Sequence, residues 1–132
     1  MADARFFGFL VLDRYRGDIN PYTGDNAVEA MVLTQNYGFI DGRGVVWTAH
    51  IGDVVDGATI PGFAKVIIGG SFNTGYLGAS VLHDIYGRSQ ERPWRDTDRM
   101  FYEAMRVNGV NYFKAWAMWS AVYAWHLAGN GW

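Results

Sequence analysis

Hydrophobic residues in the first part of the chain occur in short runs typical of β-strands. Three such runs, rich in Val, Phe, Leu, Trp or Thr, cover residues 6–12, 27–34 and 44–50. An Asn-, Asp- and Gly-rich loop separates the first two runs, and Asp41-Gly42 marks a tight hairpin before the third. The pattern predicts an N-terminal antiparallel β-meander.

After Pro61 the hydrophobic spacing changes from that of strands to that of helices. Apolar residues recur every three or four positions over residues 77–86, and Gly87 closes this first predicted helix. A second helix is predicted from Asp96 to Met105, because acidic and hydroxyl residues at its start satisfy free backbone N–H groups and favour the positive end of the helix dipole.

A third helix is predicted over residues 110–126, where aromatic residues fall on more than one face. Such a helix packs on two sides, either within the core or against a partner. The order of elements predicts an α+β fold in one domain, residues 1–132, with an N-terminal antiparallel β-meander followed by three C-terminal helices.

Composition narrows the functional classes. Half of the 132 residues are hydrophobic, and 6 Trp, 8 Tyr and 8 Phe exclude intrinsic disorder. A net charge of −2 gives no global attraction for nucleic acid, so no nucleic-acid partner is expected. The absence of cysteine excludes disulfides, thiolate metal clusters and thiol nucleophiles.

Two apolar segments raise the question of a membrane. The run at residues 6–12 lacks a basic leader and a small-residue cleavage site, so a buried strand is the better interpretation. The segment at residues 112–127 contains Lys114 and His126 and is too short to cross a bilayer. No membrane insertion is expected, and the pattern fits a cytoplasmic protein or one assembled into a larger particle.

Candidate site residues occur between the predicted sheet and the helices and within the first two helices. Imidazole and carboxylate are the ligands that a cysteine-free chain offers to a divalent metal, so His83, Asp84 and Asp98 are candidate metal ligands. The candidate catalytic residues are Asp56, Thr59, His83 and Asp84, which could perform acid–base chemistry with or without a metal. Neighbouring helix residues point about 100° apart, so one member of the His83-Asp84 pair is expected to orient the other.

Each of these residues also has a structural interpretation. Asp56 and Thr59 can bond to backbone groups in a tight turn before Pro61. His83 can be a buried imidazole satisfied by a carboxylate, and Asp98 can serve the first turn of its helix. Four arginines near the second helix could bind an anion, but neighbouring acids favour solvated ion pairs; they are Arg88, Arg92, Arg95 and Arg99.

Three ordered motifs stand out: Asp56-Gly57-Ala58-Thr59-Ile60-Pro61, then His83-Asp84-Ile85-Tyr86, then Asp98-x-x-Phe101 with Glu103-Ala104-Met105 and Gly109-Val110. Together they resemble a family of small single-domain proteins of unknown function from bacteriophages and prophages, over residues 6–125. Thr59 stands where that family usually has Ser, and Tyr86 follows the His-Asp pair one residue sooner than usual.

The resemblance implies a phage or prophage origin. Together with the surplus of aromatic residues, which suits an interface, it leads us to expect an accessory protein of the virion or tail, or of assembly, that binds other phage proteins and can form an oligomer. It would be made in the host cytoplasm and could enter the virion. The alternative is a small metal-assisted or acid–base hydrolase that uses a His/Asp site on an envelope polymer or a phosphoester.

Overall fold

The computed structural model describes residues 3–14, 30–56 and 77–129. Antiparallel strands occupy the N-terminal part and three helices follow, which confirms the predicted α+β fold. The elements are β1 (Arg5–Gly8), β2 (Leu12–Arg14), β3 (Ala30–Leu33), β4 (Tyr37–Ile40), β5 (Val46–Ala49), β6 (Val54–Asp56), α1 (Leu77–Ser89), α2 (Trp94–Val107) and α3 (Tyr112–Leu127).

The strands form two three-stranded antiparallel sheets, ordered β1-β4-β5 and β2-β3-β6. Phe39 of β4 lies opposite Phe6 of β1 and Trp47 of β5, so the first sheet brings large side chains together. The run predicted as one strand over residues 6–12 is divided between the two sheets. Gly8, with φ of +74°, ends β1 in a conformation that side-chain-bearing residues rarely adopt.

Strands β4 and β6 were not predicted from the sequence. In β4, Gly38 interrupts the apolar alternation, and its backbone lies so close to β5 that a Cβ atom would sit 2.5 Å from the Trp47 carbonyl oxygen. β6 has only three residues, too few for a periodic signal. Residues 18–26 and 27–29, parts of the predicted loop and second strand, lie outside the described residues.

All three predicted helices form, with changes at their ends. α1 continues past Gly87 to Ser89, because this glycine is buried within the helix rather than ending it. α2 begins at Trp94, two residues before the expected Asp96, after an extended Pro93. Asn111 caps α3, since its side chain accepts a hydrogen bond from the Lys114 backbone N–H at 2.9 Å.

The helices pack in sequence, α1 against α2 and α2 against α3. α1 contacts β5 and β6, and α2 contacts β1, so the core lies between the strands and the first two helices. Within the described residues, no helix has the length and apolar character needed to cross a membrane. The largest fully buried side chains include Leu33, Phe39, Trp47, Leu82, Met100, Phe101, Met105 and Met118.

A polar network fastens the β4–β5 turn to the helices. The Asp41 carboxylate accepts the indole N–H of Trp47 at 3.1 Å and the backbone N–H groups of Arg43 and Val45. Burial alone would raise the pKa of Asp41, but these hydrogen bonds lower it below its usual value. Glu103 of α2 accepts the backbone N–H of the turn residue Gly42.

Candidate functional site

A buried carboxylate joins all three helices. Asp98 of α2 has no exposed surface, and each of its oxygens accepts a hydrogen bond from a different imidazole. His83 Nε2 of α1 lies 2.7 Å from Asp98 Oδ1, and His126 Nδ1 of α3 lies 2.6 Å from Asp98 Oδ2. The His83–Asp98–His126 cluster is therefore a polar junction inside the helical layer.

Aromatic rings hold both imidazoles in place. The His83 ring packs against Phe101, with ring centroids 4.6 Å apart, and the His126 ring packs against Trp94 at 5.1 Å. The two imidazole centroids are 6.2 Å apart. Their orientations are thus fixed by one carboxylate and two neighbouring rings, the kind of support that positions an acid–base group.

The charge of Asp98 is maintained by its hydrogen bonds. Burial by itself would raise the pKa of Asp98. The hydrogen bonds from His126 and His83 lower it, as does the positive charge of either ring when protonated, and together these effects outweigh burial. Asp98 therefore accepts two imidazole N–H bonds as an ionised carboxylate at neutral pH. His83 donates through Nε2 and His126 through Nδ1. When the rings are neutral, the nitrogens that can act as a base are therefore Nδ1 of His83 and Nε2 of His126.

Acid is expected to weaken the fold through Asp98. A carboxyl group whose folded pKa is depressed stabilises the protein fully above its unfolded pKa, about 4, and this stability is lost as the pH falls through the folded value. The free energy of unfolding, measured by urea denaturation from pH 3 to 7, should fall below about pH 4. The acid-side fall should be shallower in Asp98→Asn, and an equally steep fall in that variant would contradict the assignment.

The other predicted site residues take different positions. Asp84, next to His83 on α1, pairs with Arg88 one turn later, with Oδ1 2.9 Å from the guanidinium Nε. Asp56 is the last residue of β6, and its side chain lies outside the described part of the structure. Thr59 also lies outside the described residues. Of the predicted residues, the structure thus brings His83 and Asp98 into direct contact.

The arrangement bears on the predicted metal ligands His83, Asp84 and Asp98. Asp84 is engaged by Arg88, and both Asp98 oxygens are engaged by imidazoles. Over residues 3–14, 30–56 and 77–129, no group of three or more His, Asp or Glu side chains is arranged to hold a metal ion. A metal at His83 would need ligands from elsewhere in the chain.

His126 is the member of the cluster that sequence reasoning missed. Ala115, Met118 and Val122 precede it on the buried face of α3 at intervals of three and four residues. His126 continues that stripe, so a polar residue at a buried position was the available signal. The expectation that Asp98 serves the first turn of its helix was wrong: α2 begins at Trp94, so Asp98 lies beyond the first turn.

The arginines near α2 divide into two groups. Arg88 and Arg99 form the expected ion pairs, with Asp84 at 2.9 Å and with Asp96 at 3.3 Å. Arg92 and Arg95 instead stack on aromatic rings, Arg92 on Trp47 and Arg95 on Trp94.

A neighbouring side of α3 exposes an aromatic face. Phe113 is 73% exposed, Tyr112 64% and Trp116 49%. Trp116 also lines a groove of about 500 Å³ between α2 and α3, together with Arg95, Arg99, Tyr102, Trp119 and Tyr123. Large exposed aromatic side chains of this kind are enriched at protein interfaces.

Comparison with known proteins gives a family match without an activity. The sequence profile of the family described as "Protein of unknown function (DUF1353)" matches residues 31–122, a stretch that contains His83 and Asp98 and ends before His126. No solved structure matches the chain.

Two relatives from Sinorhizobium fredii (strain NBRC 101917 / NGR234) are similar to this chain. Uncharacterized protein y4jT is 46% identical over 90 residues, which cover 68% of this chain and 27% of the relative. Uncharacterized protein y4iH is 36% identical over 93 residues, which cover 70% of this chain and 39% of the relative. The chain therefore spans less than half the length of either relative.

Proposed function

The chain belongs to the DUF1353 family of proteins of unknown function, and we propose that it is a phage- or prophage-encoded accessory protein that binds other phage proteins through the aromatic face of α3. The supporting observation is the exposure of Tyr112, Phe113 and Trp116 on a helix that buries another of its faces. Burial of such rings against a partner supplies much of the binding energy at protein interfaces.

In this proposal the protein is made in the host cytoplasm and acts at the virion or tail, or during assembly. The phage association comes from the resemblance of the three ordered motifs. A partner that covers the aromatic face would remove from water the side chains that the fold leaves exposed.

The test measures incorporation into particles. Particles produced from the phage or prophage that encodes this chain should contain the wild-type protein, detected by quantitative mass spectrometry. Phe113→Ala with Trp116→Ala should reduce its amount at least tenfold, because interface hot spots are often aromatic anchors. Ile51→Ala is the matched control, since Ile51 is 65% exposed but lies in the β5–β6 turn.

Two results would overturn the proposal. One is a wild-type protein that is absent from particles and strictly monomeric in the producing cell. The other is a double variant that remains folded by circular dichroism and is incorporated as well as the wild type.

The His83–Asp98–His126 cluster supports a second candidate, an acid–base hydrolase that acts on an envelope polymer or a phosphoester. The specific observation is an ionised, fully buried carboxylate that orients two imidazoles, because oriented imidazoles are common general bases. Asp56, Thr59 and Asp84 stay candidate catalytic residues in this proposal, and a divalent metal stays a candidate cofactor.

The hydrolase candidate is tested with purified peptidoglycan and with a nitrophenyl phosphodiester, with and without added divalent metal. Hydrolysis should fall at least a hundredfold in His83→Ala, given the usual contribution of a general base. His50→Ala is the control, because His50 is exposed in the turn after β5. Absence of hydrolysis by the wild type under all these conditions, or equal activity of His83→Ala, would exclude this candidate.

A further inference from the structure

Arg92 lies in the bridge between α1 and α2, where two aromatic rings fix its guanidinium. The guanidinium carbon is 4.3 Å from the centroid of the Trp47 ring and 5.1 Å from that of Tyr86. Trp47 and Tyr86 themselves meet edge to face at 4.8 Å, and the Tyr86 hydroxyl accepts the Thr48 backbone N–H at 2.8 Å. The planar cation is therefore held by a rigid aromatic corner.

This cation lacks the partner that nearby arginines have. Arg88 and Arg99 each pair with an aspartate, whereas Arg92 has no carboxylate partner among the described residues. Its Nη1 atom is buried without a hydrogen-bond partner. A buried N–H donor with no acceptor costs free energy.

A cavity of about 200 Å³ adjoins this arginine. Arg92 lines it together with Tyr86, Gly87, Gln90, Pro93 and Trp94. Pro93 and Trp94 form the start of α2, where no side chain caps the first backbone N–H groups. The cavity thus combines one arginine without a described carboxylate partner, the positive end of a helix, and a lining of both polar and apolar groups.

We propose that this cavity binds the carboxylate of a small monoanionic ligand. The guanidinium donates to the carboxylate oxygens, and an apolar tail packs against Trp94 and Pro93. A monoanion matches the positive charge of Arg92, whereas dianionic phosphate would leave a second negative charge without a cation among the lining residues. The site is separate from the aromatic face of α3 and does not depend on partner binding or on hydrolysis.

The probe is propionate, with propionamide as its neutral isostere and inorganic phosphate as the competing anion. Each is titrated into the isotope-labelled protein at constant pH and ionic strength, and amide and indole resonances are followed by NMR. Propionate should shift the Gly87 and Gln90 amides and the Trp94 indole along one saturable curve. Propionamide should bind at least tenfold more weakly because it loses a charge-assisted pair of hydrogen bonds. Phosphate should also bind at least tenfold more weakly because its charge does not match that of the site.

Variants connect the shifts to Arg92. Arg92→Gln should weaken propionate binding at least tenfold, and Arg92→Lys, which keeps the charge without the planar fork, should also weaken it. Arg95→Gln is the matched control, because Arg95 stacks on the same Trp94 but does not line this cavity. If Arg92→Gln fails to fold, Arg92→Lys and the three titrations of the wild-type protein still test whether the cavity binds the carboxylate.

Several outcomes would overturn the proposal: no saturable shift with propionate, shifts that lie away from the cavity, equal binding of propionamide or phosphate, or full binding by a folded Arg92 variant.

Discussion

Asp98→Ala is expected to lower the free energy of unfolding by about 3–5 kcal/mol, because it removes one member of a buried ionic cluster and leaves two imidazoles without their acceptor. This loss is large relative to the 5–15 kcal/mol total stability of a typical domain. The measurement is urea denaturation followed by circular dichroism at pH 7.

The control lies two residues earlier on the same helix. Asp96 pairs with Arg99 at 3.3 Å, but both side chains are about half exposed, so Asp96→Ala should cost less than about 1 kcal/mol. Equal effects of the two substitutions would mean that the cluster contributes no more than a surface ion pair. The loss in Asp98→Ala measures the cost of leaving two buried imidazole N–H groups without an acceptor.

The sequence predicts the helices better than the strands for a physical reason. Each helix has several apolar turns, and α2 also has a recognisable end at Asn108. The strands have three or four residues each, and their pairing depends on contacts distant in sequence. Gly38 shows the difficulty, since the close approach of two strands, rather than any local preference, selects a glycine there.

The parts of the site that depend on the geometry of a single helix could be predicted from the sequence. The parts that depend on how two helices pack together could not. The roughly 100° between neighbouring residues indicates that His83 and Asp84 diverge, and they do, toward Asp98 and Arg88. The link from Asp98 to His126 spans 28 residues and requires α2 and α3 to pack in one particular register. Periodicity places a histidine on the buried face of α3, but it does not name the acceptor that the histidine meets.

The two faces of α3 have separate roles in this fold. The buried face is formed by Ala115, Met118, Val122 and His126, three of them small or flexible, so α3 approaches α2 closely enough for His126 to reach Asp98. Large aromatic side chains occupy neighbouring positions: Trp119 packs on Tyr102 of α2 and Tyr123 on Trp94 of α2, whereas Tyr112, Phe113 and Trp116 are exposed. The contact of α3 with α2 thus combines the polar cluster with aromatic pairs.

Trp47→Ala is expected to lower the free energy of unfolding by about 3–5 kcal/mol, the usual range for removal of a buried tryptophan from a core. The ring connects the sheet to the helices: it donates to Asp41, meets Tyr86 edge to face and supports Arg92. Urea denaturation at pH 7 provides the measurement.

Two further substitutions separate these contributions. Trp47→Phe keeps an aromatic ring beneath Arg92 and removes the indole donor, so it should cost about half as much, since Asp41 still accepts two backbone N–H bonds. Trp116→Ala makes the same truncation at a half-exposed position and should cost less than about 1 kcal/mol. If Trp47→Ala were no more damaging than Trp116→Ala, the sheet and helices would have to be joined by contacts other than this ring, and the aromatic corner that holds Arg92 would lose its structural basis.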